Sequence, residues 1–299
     1  MKKVLIIYNP SSGSKNSEEY ASKLKYILKN KKVSTSVYET TGDDNFKSLI
    51  LNSVNNNYDT IAVLGGDGTV SQIVNVLSTL NVRPTILLLP TGTKNNLAHS
   101  LGINLNIDGY LSEIEKRELE RKYIDIGKVN DSYFISTVSM GSIPEMAWKT
   151  NEEHKEKYGS LGYVFDSFQV LNEEKSFDIS LKTDGQEQII KGVTLLIVGI
   201  SNSVFGMKTF FEDAQIDDGY LHLYLLKEGS LFSKMSTLVK DVIQKQQDNT
   251  EEQSYNLKFK SAVIESKPSL SLAVDGEKGP VMPATIDILP KHLTFYVVV

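Results

Sequence analysis

Through the first part of the chain, short apolar runs alternate with stretches whose apolar residues recur every three or four positions. "KVLIIY", "DTIAVLGG" and "TILLLP" have the length and branched content of buried strands, and "VSTSVYET" alternates as a half-buried one does. Between them, "SEEYASKLKYILKN" places Tyr20, Leu24, Ile27 and Leu28 at helical spacing. "FKSLILNSVNN" and "VSQIVNVLSTL" repeat that period, "GTKNNLAHSLGI" starts a further helix and "LSEIEKRELERK" predicts one more. Strands alternating with helices through short turns predict a parallel sheet covered on both faces.

Near Tyr123 the pattern changes. "KYIDIGKV", "DSYFISTVSMG", "KSFDISLKTDG", "QIIKGVTLLIVGIS" and "DGYLHLYLLK" read as successive short strands, and "LKFKSAVIES", "SLSLAVDGE", "ATIDILP" and "LTFYVVV" continue the series. Two helical stretches interrupt it, "GSLGYVFDSFQVL" and "SLFSKMSTLVKDVIQKQ". The second carries apolar residues at 231, 232, 235, 238, 239, 242 and 243 and reads as an amphipathic helix packed on a sheet. "QKQQDNTEEQ" reads as a mobile loop. The pattern therefore divides the chain into an α/β part and a β-rich part.

Composition narrows the chemistry. With 299 residues, 40% of them hydrophobic, the chain is ordinary globular material for two domains. A net charge of −5 argues against a general nucleic-acid binder. The absence of cysteine excludes disulfides, thiolate metal sites and cysteine nucleophiles. The four histidines, His99, His154, His222 and His292, lack metal-ligand spacing. No apolar run approaches the length of a membrane span or a signal-peptide core, so a cytoplasmic protein is expected.

The candidate chemistry lies in "LGGDGT", at the junction of a predicted strand and helix. Bare glycines let backbone N–H groups approach a phosphate, and the following helix offers its positive end. Asp67 could hold magnesium directly or through water, and Thr69 brings a hydroxyl. "NPSSG" and "LPTGTKNN" follow two other strands at the same sheet edge. Ligands of parallel sheets bind beyond that edge, so the three loops together predict one nucleotide-phosphate site. A lone Gly-Gly-Asp-Gly is also a plain turn, and "DDGYL" and "VDGEK" each carry an Asp-Gly hairpin signal.

These segments, taken in order, resemble the bacterial diacylglycerol-kinase-type lipid kinases, relatives of the sphingosine kinases. "NPSSG", "GGDGT" and "PTGTKNNLAHSLGI" match the nucleotide-side motifs, and "IDIGKV", "FEDAQIDDGYLHL" and "LAVDGE" match those of the second domain. "GGDGT" alone would also suit NAD kinases and phosphofructokinases. The resemblance implies an α/β nucleotide domain over residues 1–125, to which a strand at about 290–299 could return, and a β-sandwich lipid domain over 126–289, with the reaction in the cleft between. It implies ATP contacts at Asn9, Pro10, Ser11, Ser12, Gly13, Thr40, Gly65, Gly66, Asp67, Gly68, Thr69, Val70, Ser71 and Thr93. It further implies a structural magnesium ion at Asp218 with the carbonyls of Gln215 and Tyr220, and Glu277 as general base.

The expected activity is transfer of the ATP γ-phosphate to diacylglycerol or a similar lipid alcohol, at a transient membrane contact and without nucleic acid. Whether the chain forms a homodimer stays open. The alternatives are a weakened relative that binds nucleotide or lipid without efficient turnover, and an NAD kinase. Several positions depart from the family pattern. Ser71 and Gln72 replace the usual Asn-Glu, Asn96 replaces an aspartate and His99 an arginine, and "VSMGSIPEMAW" replaces a Gly-Phe-Gly-type segment. If magnesium lies near Asp67, Asn96→Asp is expected to raise turnover or leave it intact.

Overall fold

The apolar runs of the first part pair side by side as a parallel sheet in the computed structural model, which describes residues 1–10, 16–40, 45–93, 95–140, 176–183, 185–204, 210–211, 213–228 and 254–299. The chain divides into two compact units, Met1–Ile126 with Pro290–Val299, and Gly127–Leu289. The predicted helices at 159–171 and 230–246, and the loop at 244–253, lie outside the described residues.

In the first unit the strands are β1 (Lys3–Tyr8), β2 (Ser34–Glu39), β3 (Thr60–Gly65) and β4 (Thr85–Pro90). Their order is β4-β3-β1-β2, all parallel. β3 and β4 are buried at every position, which explains their unbroken apolar runs. β2 forms the edge, and its Val37 is exposed. Helix α1 (Ser17–Asn30) buries Ala21, Leu24, Ile27 and Leu28 and packs with α5 (Ile107–Lys116). Helix α2 (Phe46–Asn55) packs with α3 (Asp67–Ser78), and a short α4 (Asn96–Leu101) follows β4.

The chain moves from β1 outward to β2, then back past β1 to β3. That reversal creates a topological switch point between β1 and β3, beyond whose carboxyl ends open sheets of this kind hold ligands. The last strand, β15 (Ala284–Val298), extends this sheet, pairing Phe295 in parallel with Ile86 of β4.

The second unit is antiparallel and organised around β9 (Gln186–Gly199). The first half of β9 pairs with β8 (Phe177–Thr183); its second half lies between β7 (Thr137–Met140) and β10 (Leu221–Lys227). Beyond these lie β11 (Ser254–Phe259) on β10 and β12 (Ser261–Lys267) on β8. β13 (Ser271–Val274) joins β7 to β14 (Glu277–Val281). β5 (Leu119–Val129) turns back into β6 (Ser132–Phe134).

Four boundaries differ from the pattern. The predicted helix "LSEIEKRELERK" stops at Lys116, because "LERKY" is the exposed first half of β5, whose charges mimic a solvated helix. "DSYFISTVSMG" divides into β6 and β7, and "LKFKSAVIES" into β11 and β12. "ATIDILP" and "LTFYVVV" are one strand, β15.

Candidate active site

The first residues after the parallel strands are drawn together at the strands' carboxyl ends. Backbone pairing runs one residue past the strands: Asn9 N–H donates to the Leu64 carbonyl (3.3 Å), Thr40 N–H to Tyr8 (2.9 Å) and Thr91 N–H to Gly65 (3.2 Å). The Tyr8 hydroxyl donates to Glu39 Oε2 at 2.8 Å and ties the end of β1 to that of β2. That bond, with the carboxylate's charge, pushes the phenol up to about 12.

Gly66 and Gly92 meet backbone to backbone. A Cβ on Gly92 would collide with the Gly66 Cα, and one on Gly66 would lie 3.1 Å from the Gly92 Cα. Asn95, buried and in the left-handed region at φ 50°, braces the β4 loop from within. Its Oδ1 accepts from Gly92 N–H at 3.1 Å, and its Nδ2 donates to the Gly92 carbonyl at 2.7 Å. The α3 helix starts at this junction with no side-chain cap at Gly66. An uncapped first turn offers N–H groups and the positive end of the helix to an anion.

Asp67 stands in that first turn and reaches across to α4. Its Oδ2 accepts from Asn96 N–H (3.1 Å) and Asn96 Nδ2 (3.4 Å), and its Oδ1 accepts from Leu97 N–H (3.4 Å). The carboxylate therefore joins the starts of two helices. Two of these bonds are long and weak.

In the second unit, Asp275 and Gly276 form the two-residue turn between β13 and β14, with φ of 50° and 88°. Positive φ at both central residues is the signature of a type I′ hairpin. The Asp275 carboxylate is taken up by the segment between β6 and β7. Its Oδ2 accepts from Ile135 N–H (3.0 Å), and its Oδ1 accepts from Ser136 (2.8 Å) and Thr137 (3.1 Å). Asp275 N–H returns a bond to the Thr137 carbonyl at 2.8 Å. Glu277, the first residue of β14, is exposed just beyond this knot.

The loop before β10 carries the expected magnesium residues. Asp218 Oδ1 accepts from Tyr220 N–H at 2.9 Å, and Oδ2 accepts from Gln215 N–H at 3.1 Å. His222 Nε2 also lies 2.9 Å from Oδ2. The Gln215 carbonyl accepts the Asp218 N–H at 3.3 Å. Two amide N–H groups and the His222 ring thus take three of the roughly four lone-pair sites of this carboxylate, which leaves a single site on Oδ1 for the expected ion. Among the described residues no cluster of three or more His, Asp or Glu side chains could hold a metal.

Known proteins with this organisation can now be placed beside it. Residues 3–129 match the model of the diacylglycerol kinase catalytic domain. Residues 136–297 match that of the YegS C-terminal NAD kinase beta sandwich-like domain. The chain belongs to the diacylglycerol-kinase-type lipid kinase family. A relative from Streptococcus pneumoniae is 31% identical over 302 residues, 99% of this chain and 98% of its own. A protein of Staphylococcus saprophyticus named diacylglycerol kinase is 28% identical, covering 99% of this chain and 95% of itself. A crystal structure of a diacylglycerol kinase from Bacillus anthracis superimposes with a TM-score of 0.79 at 26% identity, over 98% of this chain and 96% of that one.

Of the nucleotide-side residues in this lipid kinase relative, Asn9, Pro10, Thr40, Gly65 to Ser71 and Thr93 all lie at the carboxyl ends of β1 to β4 or in the first turns of α3. Pro10, Gly68 and Thr93 are exposed there. Ser11, Ser12 and Gly13 lie outside the described residues. Reading the motifs missed Asn95, Asp275 and His222. Asn95 was detectable as an asparagine beside a loop glycine, a residue type that tolerates positive φ. Asp275 was visible only as half of a hairpin dipeptide, and nothing in the sequence pointed to residues 135–137 as its partners.

Proposed function

We propose that this family member transfers the γ-phosphate of ATP to the hydroxyl of diacylglycerol or a similar lipid alcohol, giving a phosphatidic-acid-type product. The observation that carries this reading is the meeting of the β3 and β4 loops at Gly66 and Gly92, beside Asn9 and the uncapped start of α3, at the switch point of the sheet. Phosphoryl transfer needs positioning and charge neutralisation more than covalent help, and backbone N–H groups at a helix start supply both. Magnesium bound with the nucleotide would neutralise phosphate charge. Asp67 is the residue that would hold its hydrated shell, through water.

The acceptor alcohol is too weak an acid to ionise alone at neutral pH. Glu277 takes its proton as the O–P bond forms, and the proton leaves later to water. An exposed carboxylate at a pinned hairpin can do this without rearranging the strands behind it. The reading places the enzyme in the cytoplasm and in transient contact with a membrane surface, where a lipid acceptor resides. Among the described residues no helix is long and apolar enough to cross a membrane.

The test is lipid-dependent ATP consumption by the purified chain in diacylglycerol-containing mixed micelles. Glu277→Gln keeps size and polarity while removing the base, so transfer should fall by at least roughly 10²-fold with unchanged ATP binding and melting temperature. Near-normal turnover in Glu277→Gln removes that residue from its role. No lipid-dependent turnover by the parent favours the second reading, a relative that binds without efficient transfer. The specific support for that reading is Asn96, whose amide donates to Asp67 where the family pattern has a carboxylate.

A further inference from the structure

Protein donors take up most of the Asp218 carboxylate on which a magnesium ion would rely. A carboxylate has about four lone-pair sites. Here Gln215 N–H and His222 Nε2 occupy both on Oδ2, and Tyr220 N–H takes one on Oδ1. Because a carboxylate only accepts, His222 Nε2 must carry the hydrogen it shares. Magnesium demands near-octahedral oxygen ligands at roughly 2.0–2.1 Å. It would find one lone pair on Oδ1, a Gln215 carbonyl already accepting from Asp218 N–H, and a ring N–H pointing at the same carboxylate.

Two further observations oppose a cation. The ammonium groups of Lys258 and Lys260 lie 5.0 and 5.3 Å from the centre of the ring of Tyr220, so two positive charges already stand beside a residue whose carbonyl the ion would need. His222 is itself fixed. It is 8% exposed, and its ring lies beside that of Phe211 with centroids 5.6 Å apart. A buried ring on a central strand does not swing out of the way without opening the packing around it.

We infer that in this protein His222 closes the 215–222 loop in place of a metal ion, so that the loop holds its shape without magnesium. The imidazole N–H does for Asp218 what a cation would do: it satisfies the carboxylate and ties the loop to the start of β10. This inference concerns folding of the second unit and stands whether or not the chain is a lipid kinase.

The experiment is thermal melting of the full chain without nucleotide, in EDTA and in magnesium chloride. The parent should melt at the same temperature in both. His222→Leu removes the donor and should lower the melting temperature by roughly 3–6 °C in both buffers, and Asp218→Asn should behave alike. His222→Gln, which keeps an N–H donor on a flexible side chain, should recover part of the loss and gives a readable protein if His222→Leu fails to fold. A saturable rise of the parent's melting temperature with magnesium that Asp218→Asn abolishes would overturn the inference. So would His222→Leu melting like the parent.

Discussion

Asn96→Asp restores a carboxylate that the family pattern expects, and with magnesium near Asp67 the sequence alone predicts a gain or no change in turnover; stability is a separate matter. The geometry predicts a cost. Asn96 is 8% exposed, and its Nδ2 donates to Asp67 Oδ2 at 3.4 Å. An aspartate in the same rotamer puts two negative oxygens at that separation. Their repulsion is about 1 kcal/mol with the dielectric of water and about 5 kcal/mol at an effective value of 20. Asp67 is half-buried, and the α4 start returns roughly 0.3–1 kcal/mol to any acid placed there. These limits bracket a net loss between near zero and about 4–5 kcal/mol, so a fall of several degrees in melting temperature is expected for a unit of this size. Melting in EDTA without nucleotide measures it.

The pH dependence supplies a signature for that loss. Repulsion raises the folded pKa of one carboxyl in the variant above its unfolded value near 3.9. The deficit is then complete at pH 7 and shrinks as pH falls through the raised value, because the folded state takes up the proton first. Magnesium should narrow the deficit as well, by screening the pair. A variant that melts at or above the parent in EDTA at pH 7 would refute this account; the expectation drawn from the motif concerns turnover and is read from lipid-dependent ATP consumption in magnesium.

Two other predictions read different parts of the molecule. Asp275→Asn keeps an oxygen for Ser136 and Thr137 N–H but turns its amide N–H groups toward the Ile135 N–H, which then has no acceptor there. Leaving a buried donor unpaired costs roughly 1–3 kcal/mol, so the melting temperature should fall, and turnover with it, while the KM for ATP stays within about twofold. If Asp275→Asn melts normally, the knot does not hold the hairpin. His292, whose Nε2 lies 3.2 Å from the Ser78 carbonyl, has its pKa lowered, first by burial and then by nearby Arg83. The unfolded chain therefore binds this proton more readily, and stability from the neutral ring is present above about pH 6.5 and lost as pH falls below it. His292→Gln should lose less melting temperature than the parent between about pH 7.5 and 5.5; equal losses would dismiss the ring as a source.

Much of the first unit could be read in advance because its central strands are buried on both faces and its helices on one. β3 and β4 are buried throughout and apolar after their first threonine, and α1 shows its period through Leu24, Ile27 and Leu28. The edges were less legible. The charged first half of β5 exposes most of its residues, so its pattern carries no strand period. β15 reads as two strands because Pro290, Lys291 and His292 interrupt its apolar run, although the backbone continues through them. The glycines were read as space for phosphates. Two of them, Gly66 and Gly92, first make space for each other, a contact between loops that no local pattern reveals.

The motif aspartates share a physical role that separates them from the motif glutamate. Asp67 accepts backbone N–H groups from the start of α4, Asp218 from Gln215 and Tyr220, and Asp275 from residues 135–137. Each converts a turn that the backbone could leave loose into a fixed corner, because an ionised acceptor binds an N–H about twice as strongly as a neutral one. Glu277 is exposed one residue beyond such a corner. Fixing the frame with carboxylates from other positions leaves Glu277 unburdened by structure, which is what a proton acceptor requires if it is to change charge during a reaction without disturbing the fold. Loss of an aspartate should therefore lower stability and activity together, whereas loss of Glu277 should lower activity alone. A glutamate whose removal destabilised the chain as much as Asp275→Asn would belong to the frame, and the base would have to be sought elsewhere.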